Sequence, residues 1–282
     1  MEAYTDFAGV YDTFMDDTPY GEWADFLAEL IGKYGVSRPV REAGECSTKR
    51  EASDAGEKEA QTAALLDSEK NLVLDLGCGT GTLTELLYQK GYDMIGVDYS
   101  EEMLGIALEK KESSGSEILY LCQDMRELDL YSTVGTVVCV CDSVNYLLEN
   151  DEVEETFALV NNYLYPGGLF IFDFNTVYKY EKVIGDAVIA ENRDACSFIW
   201  ENYYHGEERL NEYDLTIFVQ EEGELFRRFT ETHFQRGYTL EEMKGFVEKA
   251  GMEIVLVLDA DTRKEPEEKS ERIYIAAREC QK

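Results

Sequence analysis

The feature that most constrains the fold is an alternation of short apolar runs and helical stretches between residues 71 and 175. Continuous apolar runs of this kind are typical of strands that are buried on both faces of a sheet. Strands that alternate with helices are joined by right-handed crossovers, so the pattern predicts a parallel, doubly wound α/β sheet. The predicted strands occupy residues 71–76, 92–100, 117–125, 133–143 and 167–175, and the predicted helices occupy residues 80–90, 101–111 and 151–164.

The alternation of predicted strands and helices ends after about residue 176. Residues 186–236 have no helical pattern and contain four stretches rich in aromatic and β-branched residues, which is typical of an antiparallel meander. A helix follows, with Thr239 as its N-cap and Gly251 at its end, and two more strands close the chain. The sequence therefore predicts a mostly parallel seven-stranded sheet with helices on both faces and an inserted antiparallel β subdomain.

The ends of the chain and its composition add further limits. Apolar residues at helical spacing over 4–34 predict two N-terminal helices. Residues 37–70, almost without large apolar groups, predict a flexible acidic insertion or an exposed helix. There are 26 Lys+Arg against 59 Asp+Glu, a formal net charge of −33, which argues against a nucleic-acid partner. Two histidines and seven scattered cysteines without a Cys-x-x-Cys motif predict no metal site. No signal peptide or membrane-length run is evident, so we expect a cytoplasmic protein without a membrane partner.

The segment LDLGCGTGT at 74–82 places glycines at 77, 79 and 81, directly after the first predicted strand. The dinucleotide fingerprint Gly-x-Gly-x-x-Gly requires its third glycine where Thr82 stands. Asp75 also precedes the first glycine by two residues. A ligand with a positive group suits this acidic site better than pyrophosphate does.

Asp98 ends the second predicted strand, and in a doubly wound sheet it lies at the same edge as Asp75. A carboxylate at this point can accept hydrogen bonds from both hydroxyls of a ribose. The residues therefore indicate a ligand that has a ribose and a cationic end.

On these motifs the sequence resembles the class I, seven-stranded Rossmann-like methyltransferases that depend on S-adenosylmethionine. The resemblance covers residues 71–178 strongly and the closing helix and strands weakly. The matching segments are VLDLGCGTG at 73–81, GVDYSEEML at 96–104, CQDMREL at 122–128, CDSVNYL at 141–147 and LYPGGLFIFD at 164–173.

The resemblance implies a role for each matched position. Asp75 and the backbone at Gly77, Cys78 and Gly79 would face the methionine part of S-adenosyl-L-methionine, and Asp98 would hold the ribose. The remaining implied contacts are Tyr99 and Met103 against the adenine, Asp124 and the Met125 amide at the adenine edge, and Cys141 and Asp142 on the floor near the sulfonium.

Two further segments resemble a subset that includes small-molecule and amino-sugar N-methyltransferases. The first is FAGVYD at 7–12, which in that subset lies in a helix that closes over the cofactor and here would place Tyr11 near its methionine end. The second is ETHFQRGY at 231–238, where strand alternation puts Glu231 and His233 on one face. His233 could deprotonate a nucleophile, or it could simply pair with Glu231 and stabilise the sheet.

We therefore expect a methyltransferase that transfers a methyl group in line from S-adenosylmethionine to a small molecule, as a monomer or homodimer. The alternatives are a non-catalytic sensor or scaffold that binds the cofactor, and an RNA methyltransferase. The expected organisation is an N-terminal helical lid (1–36), the flexible insertion (37–70), the cofactor-binding domain (71–178 and 238–282) and the antiparallel substrate-side insertion (179–237).

Overall fold

The computed structural model describes residues 7–41 and 68–282, so most of the predicted insertion over 37–70 lies outside the described residues. Two helices precede the sheet, and strands then alternate with helices as far as β5, except that β4 follows β3 with only a short 3₁₀ turn between them. In chain order the elements are α1 (Ala8–Phe14), α2 (Tyr20–Tyr34), β1 (Leu72–Leu76), α3 (Thr82–Gln89), β2 (Asp93–Asp98), α4 (Glu101–Ser114), β3 (Leu119–Cys122), β4 (Val134–Cys139), α5 (Asn150–Tyr163), β5 (Leu164–Asn175), β6 (Val188–Asn192), β7 (Cys196–His205), β8 (Leu210–Gln220), β9 (Phe226–Arg236), α6 (Leu240–Lys249), β10 (Met252–Asp259) and β11 (Arg272–Glu279).

The main sheet has seven strands in the order β10–β11–β5–β4–β1–β2–β3. The first five strands of the chain pair in parallel, whereas β11 is antiparallel to both β5 and β10. This arrangement confirms the predicted fold class. Because β1 has β2 on one side and β4 on the other, the strand order reverses here, and a crevice opens beyond the carboxyl ends of these strands.

The core lies on both faces of this sheet, and β5 shows why. Its side chains alternate between the two faces, and every residue from Gly168 onward is buried. On one face Phe170 and Phe172 pack against Phe157 of α5, with ring centroids 5.2 and 4.9 Å from Phe157. On the other face Leu169 and Ile171 belong to the cluster that buries α2 and α3. The continuous apolar run of the sequence thus matches a strand covered on both sides.

Strands β6–β9 form a separate antiparallel sheet in sequential order, as the meander pattern predicts. Helix α1 packs on one of its faces, where Phe14 meets Phe198 edge-to-face at 4.8 Å. The buried side chain of Asn145 joins the two sheets, because its Nδ2 donates to the carbonyls of Asn175 (2.9 Å) and Arg236 (2.7 Å). The small sheet is therefore fixed near the carboxyl ends of the central strands.

Helix α6 begins as the sequence predicts. The Thr239 hydroxyl accepts a hydrogen bond from the amide of Glu242, and the Glu242 carboxylate accepts one from the amide of Thr239 in return. None of the helices in the described ranges combines the length and the apolar character needed to cross a membrane.

Candidate functional site

The glycine-rich segment forms a tight turn between β1 and α3. All three of its glycines have positive φ angles: Gly77 (79°), Gly79 (54°) and Gly81 (73°). The amides of Gly77 and Cys78 donate to the carbonyl of Val97, at 2.8 and 3.0 Å, and hold the turn against the end of β2. A Cβ at residue 77 would lie 2.6 Å from the Ser143 hydroxyl. Position 77 therefore requires glycine on grounds of both conformation and space.

Asp98 is held by the backbone at the end of β2. One carboxylate oxygen accepts the amide of Gly79 at 2.7 Å, and the other accepts the amide of Ser100 at 2.9 Å. Burial raises the pKa of Asp98, and these amide hydrogen bonds oppose the rise. The carboxylate lines a cavity at the strand ends, where its orientation is fixed before any ligand binds.

Asp75 lies deeper in the same cavity and is only 2% exposed. Its Oδ2 accepts a hydrogen bond from the Thr84 hydroxyl at 2.6 Å. Burial raises the pKa of Asp75 to about 7, with a smaller contribution from the charge of Asp98. A cationic group in the cavity would favour the ionised carboxylate, so Asp75 suits a ligand with an ammonium group.

The predicted adenine contacts lie along one side of this cavity. Met103 is buried and Tyr99 is 59% exposed, and both line the wall together with Met125. Asp124 also lines the cavity, but its carboxylate is occupied by Arg126, which donates to both of its oxygens. These hydrogen bonds hold the pKa of Asp124 below its usual range. Its carboxylate is therefore oriented by a neighbouring guanidinium.

The floor of the cavity is a turn of two consecutive left-handed residues, Cys141 (φ 65°) and Asp142 (φ 55°). The fully buried carboxylate of Asp173 stabilises it by accepting both of their amides, at 3.3 and 2.8 Å. Cys141 lines the cavity, whereas Asp142 is not among its lining residues. The turn directs the Asp142 carboxylate towards Gln235, whose Nε2 donates to it at 2.6 Å. Of the two predicted floor residues, the structure thus brings only Cys141 to the cavity.

The N-terminal helices cover the cavity. Tyr11 of α1 lines it, as do Tyr20 and Trp23 of α2, whose rings meet edge-to-face at 5.4 Å. Asp12 fastens α1 to the glycine-rich turn, because its carboxylate accepts the Thr80 hydroxyl at 2.7 Å and pairs with Lys110 at 2.6 Å. The cover is therefore attached directly to the segment that lines the cavity.

His233 lies behind the cavity wall and is only 2% exposed. Its Nε2 is 3.2 Å from the Glu231 carboxylate, and its Nδ1 is 3.3 Å from the Tyr146 hydroxyl. The small sheet, which we expected on the substrate side, contributes none of the described residues that line this cavity. The small sheet instead contacts Tyr146, which does line the cavity, through Tyr213 and His233.

The cavity also has lining residues that sequence reasoning missed. Two of them, Thr80 and Thr82, stand inside the glycine motif, and Ser143 and Tyr146 stand inside the segment at 141–147, so position alone could have suggested them. In the sequence, Tyr20 and Trp23 belong to an apolar pattern at helical spacing. This pattern is as typical of a helix that packs in the core as of one that covers a cavity.

Taken together, these residues fit the cofactor that the resemblance implies. The cavity is lined by the buried carboxyl of Asp75, by the carboxylate of Asp98, which backbone amides hold, and by apolar side chains such as Met103. Glycine is required at position 77, because a side chain there would collide with Ser143. The arrangement suits an ammonium, a ribose and a flat base in succession.

Known proteins are similar to this chain in sequence and in fold. A sequence model described as a methyltransferase domain matches residues 73–168. A protein of Geobacillus sp. (strain WCH70), designated a methyltransferase, is 32% identical over 275 residues, which is 98% of this chain and 99% of that protein. YqeM of Bacillus subtilis (strain 168), also designated a methyltransferase, is 34% identical over 275 residues, 97% of this chain and 96% of YqeM. Among solved structures, an S-adenosylmethionine-dependent methyltransferase from Clostridium acetobutylicum ATCC 824 has a TM-score of 0.79 and 29% identity, and the match covers 99% of this chain and 100% of that one.

Proposed function

Because the chain belongs to the class I S-adenosylmethionine-dependent methyltransferases, we propose that it methylates a small molecule. The observation that carries this proposal is the covered cavity. Tyr11, Tyr20 and Trp23 close it from the N-terminal side, and Tyr146 borders it on the side of the small sheet. An acceptor that reaches the floor at Cys141 must therefore fit beneath this cover.

Charge supports the same substrate class. The formal net charge of −33 repels the phosphate backbone of a nucleic acid, which proteins bind mainly through Lys and Arg. A small neutral or cationic acceptor meets no such barrier. An amine acceptor would react in its neutral form.

The residues of the cavity supply binding, orientation and exclusion of water. In our proposal Asp75 holds the ammonium of the cofactor, Asp98 holds the ribose, and Tyr99 and Met103 flank the adenine. Tyr11 closes the methionine end. When bound, S-adenosylmethionine supplies a methyl group that its sulfonium has already activated. Transfer in line then depends mainly on how precisely the chain positions the acceptor and keeps water out.

Calorimetry tests the cofactor site. We expect S-adenosylmethionine and its demethylated product, S-adenosylhomocysteine, to bind one per chain, and we expect Asp98→Ala to abolish binding. Asp194→Ala, a change at an exposed residue of the small subdomain, is the matched control and should bind normally. Equal affinity in Asp98→Ala and in the native protein would contradict the proposed site.

A screen for turnover tests the acceptor class. Primary amines, amino sugars and small hydroxylated compounds are incubated with the protein and S-adenosylmethionine, and released S-adenosylhomocysteine is measured. Turnover with a member of this panel supports the proposal. Turnover with total RNA instead, weakening steeply with salt, would point to an RNA methyltransferase. Cofactor binding without turnover on either would point to a sensor.

A further inference from the structure

Tyr146 connects the cavity with a buried polar cluster of the small sheet. It ends the short 3₁₀ turn Ser143–Tyr146, which follows the left-handed floor of the cavity. Its hydroxyl is 2.7 Å from the hydroxyl of Tyr213 and 3.3 Å from His233 Nδ1. Tyr146 therefore lines the cavity and also belongs to this cluster through its hydroxyl.

His233 is held in one orientation within the cluster. Its ring stacks on Tyr213, with centroids 4.9 Å apart and planes 7° from parallel. Its Nε2 is 3.2 Å from Glu231 Oε2, and a carboxylate can only accept, so Nε2 carries the proton. In the neutral ring Nδ1 then has the free electron pair, and this pair faces the Tyr146 hydroxyl.

We propose that Tyr146 contacts the methyl acceptor and that His233, positioned by Glu231, receives the proton that the acceptor loses. This inference rests on the proposed small-molecule methyltransferase function. The proton of the acceptor N–H or O–H moves to the Tyr146 oxygen, while the Tyr146 hydroxyl proton moves to His233 Nδ1. The electron pair left on the acceptor forms the bond to the methyl carbon, and the electrons of the broken carbon–sulfur bond remain on sulfur. The imidazolium is stabilised by Glu231.

Other titratable groups near the floor are less suited to this role. Burial raises the pKa of Cys141 to about 12, so its thiol stays protonated near neutral pH. Asp142 faces Gln235 and is not among the residues that line the cavity. Within the described ranges, the titratable groups seen bonded to or stacked on His233 include Glu231 from β9, Tyr213 from β8 and Tyr146 from the 3₁₀ turn.

The cluster also contacts the cover of the cavity. The second oxygen of Glu231 accepts a hydrogen bond from the amide of Phe7 at 3.0 Å, directly before α1. Seating α1 therefore fixes the carboxylate that orients His233.

Nuclear magnetic resonance of ¹⁵N-histidine-labelled protein tests the cluster without any acceptor. The chain has two histidines, so the signals that remain in His205→Gln belong to His233. We expect His233 to be the Nε2–H tautomer and Tyr146→Phe to shift its Nδ1 resonance. Tyr131→Phe, a change at a fully exposed tyrosine, should leave that resonance unchanged. An Nδ1–H tautomer in the native protein, or an unchanged resonance in Tyr146→Phe, would overturn the proposal.

Steady-state kinetics with an acceptor found in the screen is the second test of this proposal. Tyr146→Phe should lower kcat by about 100-fold with little change in KM. His233→Gln should likewise lower kcat with little change in KM, whereas a residue that only stabilises the sheet would leave kcat near its native value. Both variants should bind S-adenosylhomocysteine with native affinity. If the native protein does not bind S-adenosylhomocysteine, the proposed function has failed. If the variants bind it normally and their kcat equals that of the native protein, only this inference has failed.

Discussion

Replacing Asp75 by Asn tests how the cavity recognises a cation. The variant keeps the size of the side chain and an oxygen that can accept from Thr84, but it removes the buried charge. In our account this charge meets the ammonium of the cofactor. A hydrogen bond to a charged group contributes about 1.5–3 kcal/mol, so the dissociation constant should rise about 10- to 150-fold at pH 8.

The pH dependence follows from the pKa of Asp75, which burial raises to about 7. Below that pH the free protein holds the carboxyl protonated, so binding an ammonium must release about one proton. Affinity should therefore rise as the pH increases from 6 to 7 and level off above it. Asp75→Asn has no such proton to release, and its affinity should be independent of pH over this range.

The stability of the fold should fall as the pH rises, whereas the affinity for the cofactor should rise. The carboxyl ionises near pH 4 in the unfolded chain and near pH 7 in the folded one, so the free energy of unfolding falls as the pH rises between these values. The full cost at pH 8 is on the order of 4 kcal/mol, and Asp75→Asn should remove part of it. We expect the variant to unfold at higher denaturant concentration at pH 8 while binding the cofactor more weakly.

The assay is calorimetry at pH 6 and 8 in buffers of different ionisation enthalpy, combined with urea unfolding. Asp93→Asn is the matched control, since Asp93 begins the neighbouring strand, pairs with Arg41 and is not among the cavity's lining residues. The reasoning would be refuted if Asp75→Asn bound S-adenosylhomocysteine as tightly as the native protein. It would also be refuted if the native protein released no proton on binding at pH 6.

Three further changes test the turn, the cover and the floor. Gly77→Ala should weaken binding and lower stability more than Gly79→Ala, since only position 77 adds a clash to the strain of about 1–2 kcal/mol of a left-handed alanine; equal unfolding midpoints would contradict this. Asp12→Asn should release α1 from its ion pair with Lys110 and speed amide hydrogen exchange in α1, with a loss of stability below about 1 kcal/mol; unchanged exchange would argue against a fastened cover. Asp173→Asn should cost about 3 kcal/mol in urea unfolding, because it leaves the largely buried guanidinium of Arg272, 3.6 Å from this carboxylate, without its charge partner, and a native-like midpoint would contradict this.

The sheet was predictable because its signals are local. Each central strand is a continuous apolar run such as residues 71–76, and each break carries a turn or a cap, such as Thr239 before α6. The antiparallel subdomain was equally visible from its aromatic and β-branched strands. The backbone of the cofactor site follows from the same evidence, since Asp75 and Asp98 end adjacent parallel strands.

The side-chain directions at the floor were not predictable, because distant residues determine them. The left-handed turn at Cys141 and Asp142 is held by Asp173 from another strand, and it directs Asp142 away from the cavity. The pairing of Tyr146 with His233 joins positions 87 residues apart. No pattern along the chain reports such a contact, so these details required the assembled fold.

The central claim is that this chain methylates a small molecule from a covered cavity. The most direct measurement is to incubate the protein with methyl-labelled S-adenosylmethionine and, separately, the small-molecule, RNA and protein fractions of a cell extract. We predict that label enters the small-molecule fraction and that Asp98→Ala abolishes its transfer. Label confined to the RNA or protein fraction, or equal transfer by Asp98→Ala, would contradict the account.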